Sequence, residues 1–153
     1  LDFVINNAGR SRQEDFGQWT SAEFEEHLRV NAIGPGLVAQ ALSQLMPEGS
    51  KLVNISSGMG SLTINVNPTD GLDAYAMSKA ALNLLTRRLA AKLKPRGIIV
   101  VALNPGWVRT QMGGDEAPTS IDQAIANITK VIGELTMEES GRFLSDVGEE
   151  VPW

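Results

Sequence analysis

Three short apolar runs constrain the fold of this chain more than anything else in it. Phe3-Val4-Ile5, Leu52-Val53-Asn54-Ile55 and Ile98-Ile99-Val100-Val101-Ala102-Leu103 are rich in β-branched residues and too short for helices. Runs that are apolar on both faces suit strands inside a parallel sheet with helices on each side. Long helical stretches separate them. Thr20 followed by Glu23 forms a capping box for a helix through Phe24, Leu28, Ile33 and Leu37 to about Met46, ended by Pro47 and Gly49. Gly34-Pro35-Gly36 predicts a kink or break within it. A second helix spans about Ala74 to Lys94, with Leu82, Leu85, Leu89 and Leu93 on a helical period and Pro95-Arg96-Gly97 as its stop. A third runs from near Thr119-Ser120 to about Leu135, and Arg142-Phe143-Leu144 reads as a last strand before a turn at Gly148. The alternation predicts an α/β fold, a doubly wound parallel sheet with right-handed crossovers.

The 153 residues, 42% of them hydrophobic, suffice for one domain with its own core. A formal charge of −5 argues against nucleic acid as a partner. No apolar stretch approaches the roughly 18 residues of a membrane span, and no secretory leader is visible, so a cytoplasmic protein is expected. With no cysteine and one histidine, neither a disulfide framework nor a cysteine or histidine metal site is expected.

Each apolar run ends in a polar segment bearing glycine: Asn6-Asn7-Ala8-Gly9, Ser56-Ser57-Gly58-Met59-Gly60 and Asn104-Pro105-Gly106-Trp107-Val108-Arg109-Thr110. Open parallel sheets bind ligands at the carboxyl ends of their strands, so the three segments would converge on one site. Taken singly, each is also ordinary turn chemistry. Tyr75-Ala76-Met77-Ser78-Lys79 adds a specific signal. Four residues apart on a helix, Tyr75 and Lys79 share a face. An ammonium nearby would lower the phenol pKa from about 10 toward the range useful for proton transfer.

In these motifs the chain resembles the short-chain dehydrogenase/reductase family. Asn6-Asn7-Ala8-Gly9 is similar to the family's Asn-Asn-Ala-Gly motif, and Asn31 in Arg29-Val30-Asn31-Ala32 matches its helix asparagine. Ser57 in Asn54-Ile55-Ser56-Ser57 matches its catalytic serine, and Tyr75 and Lys79 its Tyr-x-x-x-Lys pair. The segment from Asn104 to Thr110 matches the Pro-Gly stretch beside the nicotinamide. The ending Gly148-Glu149-Glu150-Val151-Pro152-Trp153, and the insert Asn65-Val66-Asn67-Pro68-Thr69-Asp70-Gly71 between Ser57 and Tyr75, resemble the carbonyl-reductase-like branch that includes C-factor and sniffer proteins.

The resemblance implies an NAD(P)-dependent oxidoreductase that interconverts a carbonyl and an alcohol, with NADP favoured over NAD. Tyr75 would be the general acid/base, Ser57 would orient the carbonyl oxygen, and Lys79 would lower the Tyr75 pKa and hold the ribose. Asn31 would support a water-mediated relay. Asn6, Ala8, Gly9, Tyr75, Lys79, Pro105, Gly106, Val108 and Thr110 would bind the cofactor. A small-molecule substrate and a homodimer or homotetramer of the full-length protein are likewise implied.

Relative to the family, the first βαβαβ portion of roughly 80 residues is absent, and with it the glycine-rich phosphate turn. Gly34-Pro35-Gly36-Leu37-Val38-Ala39 fits Gly-x-Gly-x-x-Ala only on paper, because it lies within a helical stretch. Without an initiator Met, a partial sequence that binds cofactor poorly is the expectation. Phe3-Val4-Ile5 would then form an uncovered apolar edge. The competing reading is a non-catalytic interaction or dimerisation piece.

Among the remaining residues, His27 is expected to be solvated. Glu23, Glu25, Glu26, Glu138 and Glu139 are expected on exposed faces or as helix-start charges rather than as a carboxylate pair. Thr110 to Pro118 reads as a mobile loop, either a simple connection or a lid. Trp107 either lines the substrate pocket or packs under that loop.

Overall fold

A computed structural model describes all of residues 1–153. Four parallel strands, β1 (Phe3–Asn6), β2 (Lys51–Ile55), β3 (Ile99–Asn104) and β4 (Phe143–Ser145), lie in the order β1-β2-β3-β4. Helix α1 (Ser21–Leu28) continues through a π-helical turn (Arg29–Ile33) into α2 (Gly34–Leu42), and α3 (Asp73–Leu93) and α4 (Ile121–Glu134) follow. The architecture is the α/β parallel sheet expected from the apolar runs. Because β1, β2 and β3 are in register from Phe3, Lys51 and Ile99 onward, their carboxyl ends finish side by side.

Alternation along each strand divides the core. Val53, Val101, Leu103 and Leu144 pack against Val131, Ile132 and Leu135 around α4. Leu52, Val100 and Ile98 pack against Ala39 of α2 and Ala90 of α3. Each such aliphatic side chain contributes roughly 1.5–3 kcal/mol by leaving water. At the edge, β1 buries Val4 but leaves Phe3 52% and Ile5 48% exposed. They face the α4 side of the sheet, beyond the reach of that helix. Lys51 bridges the gap, donating to the carbonyls of Ile132 and Gly133 while lying 5.7 Å from the Phe3 ring centroid.

Helix boundaries follow local chemistry. Thr20 Oγ1 caps α1 by accepting from Glu23 N–H, and Ser120 caps α4 through Gln123 N–H. The expected break at Gly34-Pro35-Gly36 does not occur; α2 runs straight through it. The irregularity lies one turn earlier, where Gly34 N–H donates to the Arg29 carbonyl five residues back. Pro35 has no N–H to give, and its ring would crowd the carbonyl at i−4. The widened turn absorbs that conflict while the backbone stays helical into α2. Gly36 permits the close crossing of α3, since a Cβ there would sit 3.3 Å from Leu85 Cδ2.

Candidate active site

The end of β2 places two serines differently. Ser56 is buried and donates to Asn83 Oδ1 at 2.6 Å. Ser57 turns toward the carboxyl edge and caps the short 3-10 turn Gly58–Gly60 by accepting from Met59 N–H. That turn is pressed onto α3, for a Cβ on Gly60 would lie 2.8–3.0 Å from backbone of Lys79 and Ala80. Asn83 completes the junction by donating to the Gly60 carbonyl at 3.1 Å.

Tyr75 and Lys79 extend from the first turns of α3 beside Ser57. Lys79 is 3% exposed, and its Nζ donates to the Ile55 carbonyl at 2.8 Å and lies 5.7 Å from the Tyr75 ring centroid. Burial pushes the Lys79 pKa down to about 8. Burial also raises the Tyr75 phenol above its ordinary value, while a hydrogen bond from Ser57 pulls the other way. The expected lowering of Tyr75 by Lys79 is therefore not what the protein alone displays. Desolvation of the phenol is the larger influence, and the same burial lowers the lysine pKa.

The segments after β1 and β3 close the site. Asn7, Ala8 and Gly9 are exposed at the carboxyl edge. A Cβ on Gly9 would be 3.7 Å from Lys79 Nζ, 3.8 Å from Asn31 Oδ1 and 3.9 Å from Met112 Cε, so four elements meet at this glycine. The Asn6 side chain points into the fold and donates to Asn54 Oδ1 at 2.7 Å; Asn54 donates in turn to Thr86 Oγ1 at 2.9 Å. The Asn31 side chain is fully buried, donating to the Arg10 carbonyl and Ser78 Oγ and accepting from Arg10 N–H. Its amide is spent on loop and helix. The backbone carbonyl of Asn31 is the one Pro35 leaves without an i+4 donor.

Pro105 and Gly106 follow β3, with Gly106 in the left-handed region at φ +78°. Val108 bridges Thr119, and Arg109 shuts the loop at its base, donating its backbone N–H to the Thr119 carbonyl and its guanidinium to the Ala117 carbonyl. Thr110 Oγ1 accepts from Gly113 N–H, and the Trp107 indole donates to the Gly113 carbonyl at 2.7 Å. The loop from Thr110 to Pro118 is therefore internally braced, and Trp107 serves as one of its braces.

One expectation about α1 is corrected, and Glu23 is found as a helix-start charge in its first turn. His27 is fully buried, with both ring nitrogens engaged by Glu23 and Arg12. Glu23 is ion-paired with Arg10 at 2.9 Å and Arg12 at 2.7 Å, and the Arg10 guanidinium holds its carboxyl below the usual range. The four-residue spacing Glu23, His27, Asn31 was the signal for a shared helix face. Its partner segment is irregular, which hid the match.

Residues 1–143 match the family described as enoyl-(acyl carrier protein) reductase. C-signal of Myxococcus xanthus is 38% identical over 161 residues, covering all of this chain and 93% of that protein. The chain belongs to the short-chain dehydrogenase/reductase family. Two solved members superpose with TM-scores of 0.92 over its full length. They are carbonyl reductase Sniffer of D. melanogaster, 31% identical, and an NADPH-bound carbonyl reductase from chicken fatty liver, 34% identical. The chain spans 66% of each of these dehydrogenase/reductase structures. It is an oxidoreductase-family chain in which no helix is long and apolar enough to cross a membrane.

Proposed function

We propose that this chain carries the proton-transfer centre of an NAD(P)-dependent oxidoreductase interconverting a carbonyl and an alcohol, with NADP preferred. The observation that carries the reading is the meeting of Ser57, Tyr75 and Lys79 at one sheet edge, beneath the exposed turn Asn7-Ala8-Gly9. The residues fit the nicotinamide end of such a cofactor. Gly9 leaves open a space beside Lys79 Nζ that any side chain would fill, and Gly106 presents bare backbone at the neighbouring strand end. Lys79, Gly9 and the Pro105–Thr110 segment would hold it. When bound, the cofactor supplies the hydride.

The chain's own part is the proton. With its pKa raised by burial, the Tyr75 phenol is protonated at neutral pH and is poised to donate to a carbonyl oxygen. Ser57 would hydrogen-bond that oxygen and fix its position against the phenol. Lys79, while charged, stabilises the phenolate left behind. Asn31 would serve the relay through its backbone carbonyl rather than its side chain. The test is NADPH consumption with a panel of small aldehydes and ketones. In a full-length protein, Tyr75→Phe should lower the rate at least ~100-fold, and an unchanged rate overturns the assignment.

A second copy is the partner we favour, because Ile33, Leu37 and Leu84 leave apolar side chains exposed on two packed helices. Sedimentation of wild type against Leu84→Glu tests this; an unaltered monomer in both cases refutes it.

A further inference from the structure

Glu23, His27 and Asn31 stand at successive four-residue steps along one helix face, and the segment leaving β1 is laid along that stripe. Asn31 exchanges two hydrogen bonds of 2.8 Å with the backbone N–H and carbonyl of Arg10. One turn earlier, His27 Nε2 accepts from Arg12 N–H at 3.1 Å. Its Nδ1 donates to the Glu23 carbonyl at 2.7 Å and lies 3.8 Å from Glu23 Oε2. One turn earlier again, the Glu23 carboxylate takes the guanidinium groups of both arginines. Alternate residues of the loop are thus bonded to successive turns of the helix. The ring must be the neutral Nδ1–H tautomer, since an imidazolium offers no acceptor to Arg12.

The clamped segment begins at Gly9, which lies against Lys79 Nζ. Lys79 makes one hydrogen bond, to Ile55, and is otherwise held in place by packing, 3% exposed. Burial at this spot is what sets the properties of the ammonium, and Gly9 is one of the residues beside it.

We propose that His27 is a positioning residue for the reaction: by holding the Arg12 amide, it steadies the segment from Gly9 to Arg12, so that Gly9 stays beside Lys79 and limits water at the ammonium. The relevance to catalysis rests on the proposed oxidoreductase function; the clamp does not. His27 lies outside the Asn-Asn-Ala-Gly, serine, Tyr-x-x-x-Lys and Pro-Gly motifs through which this chain resembles its family.

The experiment is an NMR titration of the Lys79 side chain in the 153-residue chain, with hydrogen exchange at the Arg12 amide. His27→Leu removes the acceptor and should raise the Lys79 midpoint from about 8 by about one pH unit as water enters. Exchange at Arg12 should quicken by about tenfold or more. His27→Gln, which can accept and donate in the same directions, should restore both. A folded His27→Leu protein with an unmoved Lys79 midpoint overturns the proposal, as does a Gln variant that behaves like Leu. If His27→Leu does not fold, Arg12→Pro deletes the same N–H from the loop side, and there too an unmoved midpoint is fatal. NADPH consumption is followed in parallel. A shifted Lys79 in a protein with no turnover in any form rejects the oxidoreductase reading and leaves the clamp standing.

Discussion

Lys79 Nζ donates to the Ile55 carbonyl at 2.8 Å, tying the ammonium of α3 to the last residue of the strand that delivers Ser57. The bond lies in a buried place, and the Lys79 pKa falls from 10.5 to about 8. Between those values the unfolded chain binds the proton that the folded chain has lost, so stability rises with pH across this window. Below about pH 8 the full cost of burying the charge, about 3 kcal/mol, is present. Urea denaturation from pH 7.5 to 10 should show this rise, and Lys79→Met should abolish it. A wild-type curve that falls through this window contradicts the assignment. Tyr75, whose pKa is raised, contributes only above its ordinary value of 10.0 and leaves the window clear.

The same lysine sets an expectation for rate. kcat/KM for the cofactor reports ionisations in the free protein, so it should be level through neutrality and decline above about pH 8 as Lys79 loses its charge. Tyr75 remains protonated throughout that range. An alkaline limit appearing only above pH 10 would place the controlling ionisation on Tyr75 instead.

Gly60 is where the Ser57 turn touches α3, and any Cβ there meets backbone atoms of Lys79 and Ala80 at 2.8–3.0 Å. Backbone cannot step aside as a side-chain tip can. Gly60→Ala should therefore cost roughly 1–3 kcal/mol, push the turn outward and break the Asn83 to Gly60 bond. The checks are urea denaturation and loss of the proposed carbonyl reduction in the surviving folded fraction. Wild-type stability would show that the turn is softer than its contacts imply.

The strands are legible in the sequence because runs such as Ile98 to Leu103 have no other plausible use: they are too short and too β-branched for helices, and apolar on both sides. The three strand-end segments are legible because a parallel sheet must end its strands on one edge. What the pattern does not convey is which polar side chains are consumed internally. Asn6, Asn31 and Ser56 all look available in the sequence, yet each is bonded inside the fold. His27 escapes a sequence reading because polar neighbours on its helix suggest solvent, whereas an irregular loop covers it. That cover depends on backbone amides, which carry no residue signature. The π turn is displaced from Gly34-Pro35-Gly36 for a related reason: proline disturbs the turn before it, not its own.

Thr86 anchors the buried polar ladder beneath the site, accepting from Asn54 Nδ2 at 2.9 Å and donating to the Leu82 carbonyl at 2.8 Å. Thr86→Val keeps the shape but leaves an amide N–H of Asn54 without a partner, where neither residue reaches solvent. A loss of roughly 1–3 kcal/mol is expected, read by urea denaturation. Asn54→Leu in the same background should not recover it, since the buried Asn6 Nδ2 then loses its own acceptor, Asn54 Oδ1. Full stability in Thr86→Val alone would mean that Asn54 finds another acceptor.

Gly113 decides whether the loop after β3 stays closed. A Cβ at this position would run into the Val108 carbonyl, and the Gly113 carbonyl is the acceptor for the Trp107 indole. Gly113→Ala must therefore open the loop between its base, fixed by Val108 and Thr119, and its tip near Met112. Because the segment is largely exposed, global stability should change by less than about 1 kcal/mol. Amide exchange at Gly114, bonded to the Thr110 carbonyl at 2.9 Å, should accelerate sharply as that bond is lost. Met112, now against Gly9, would withdraw with the tip and widen the approach to Lys79. If the loop only connects β3 to α4, carbonyl reduction will be unaffected by this change. If it acts as a lid over the Ser57–Tyr75 pair, KM should rise with little change in Gly60 or Asn83 exchange, which separates a displaced lid from a damaged core.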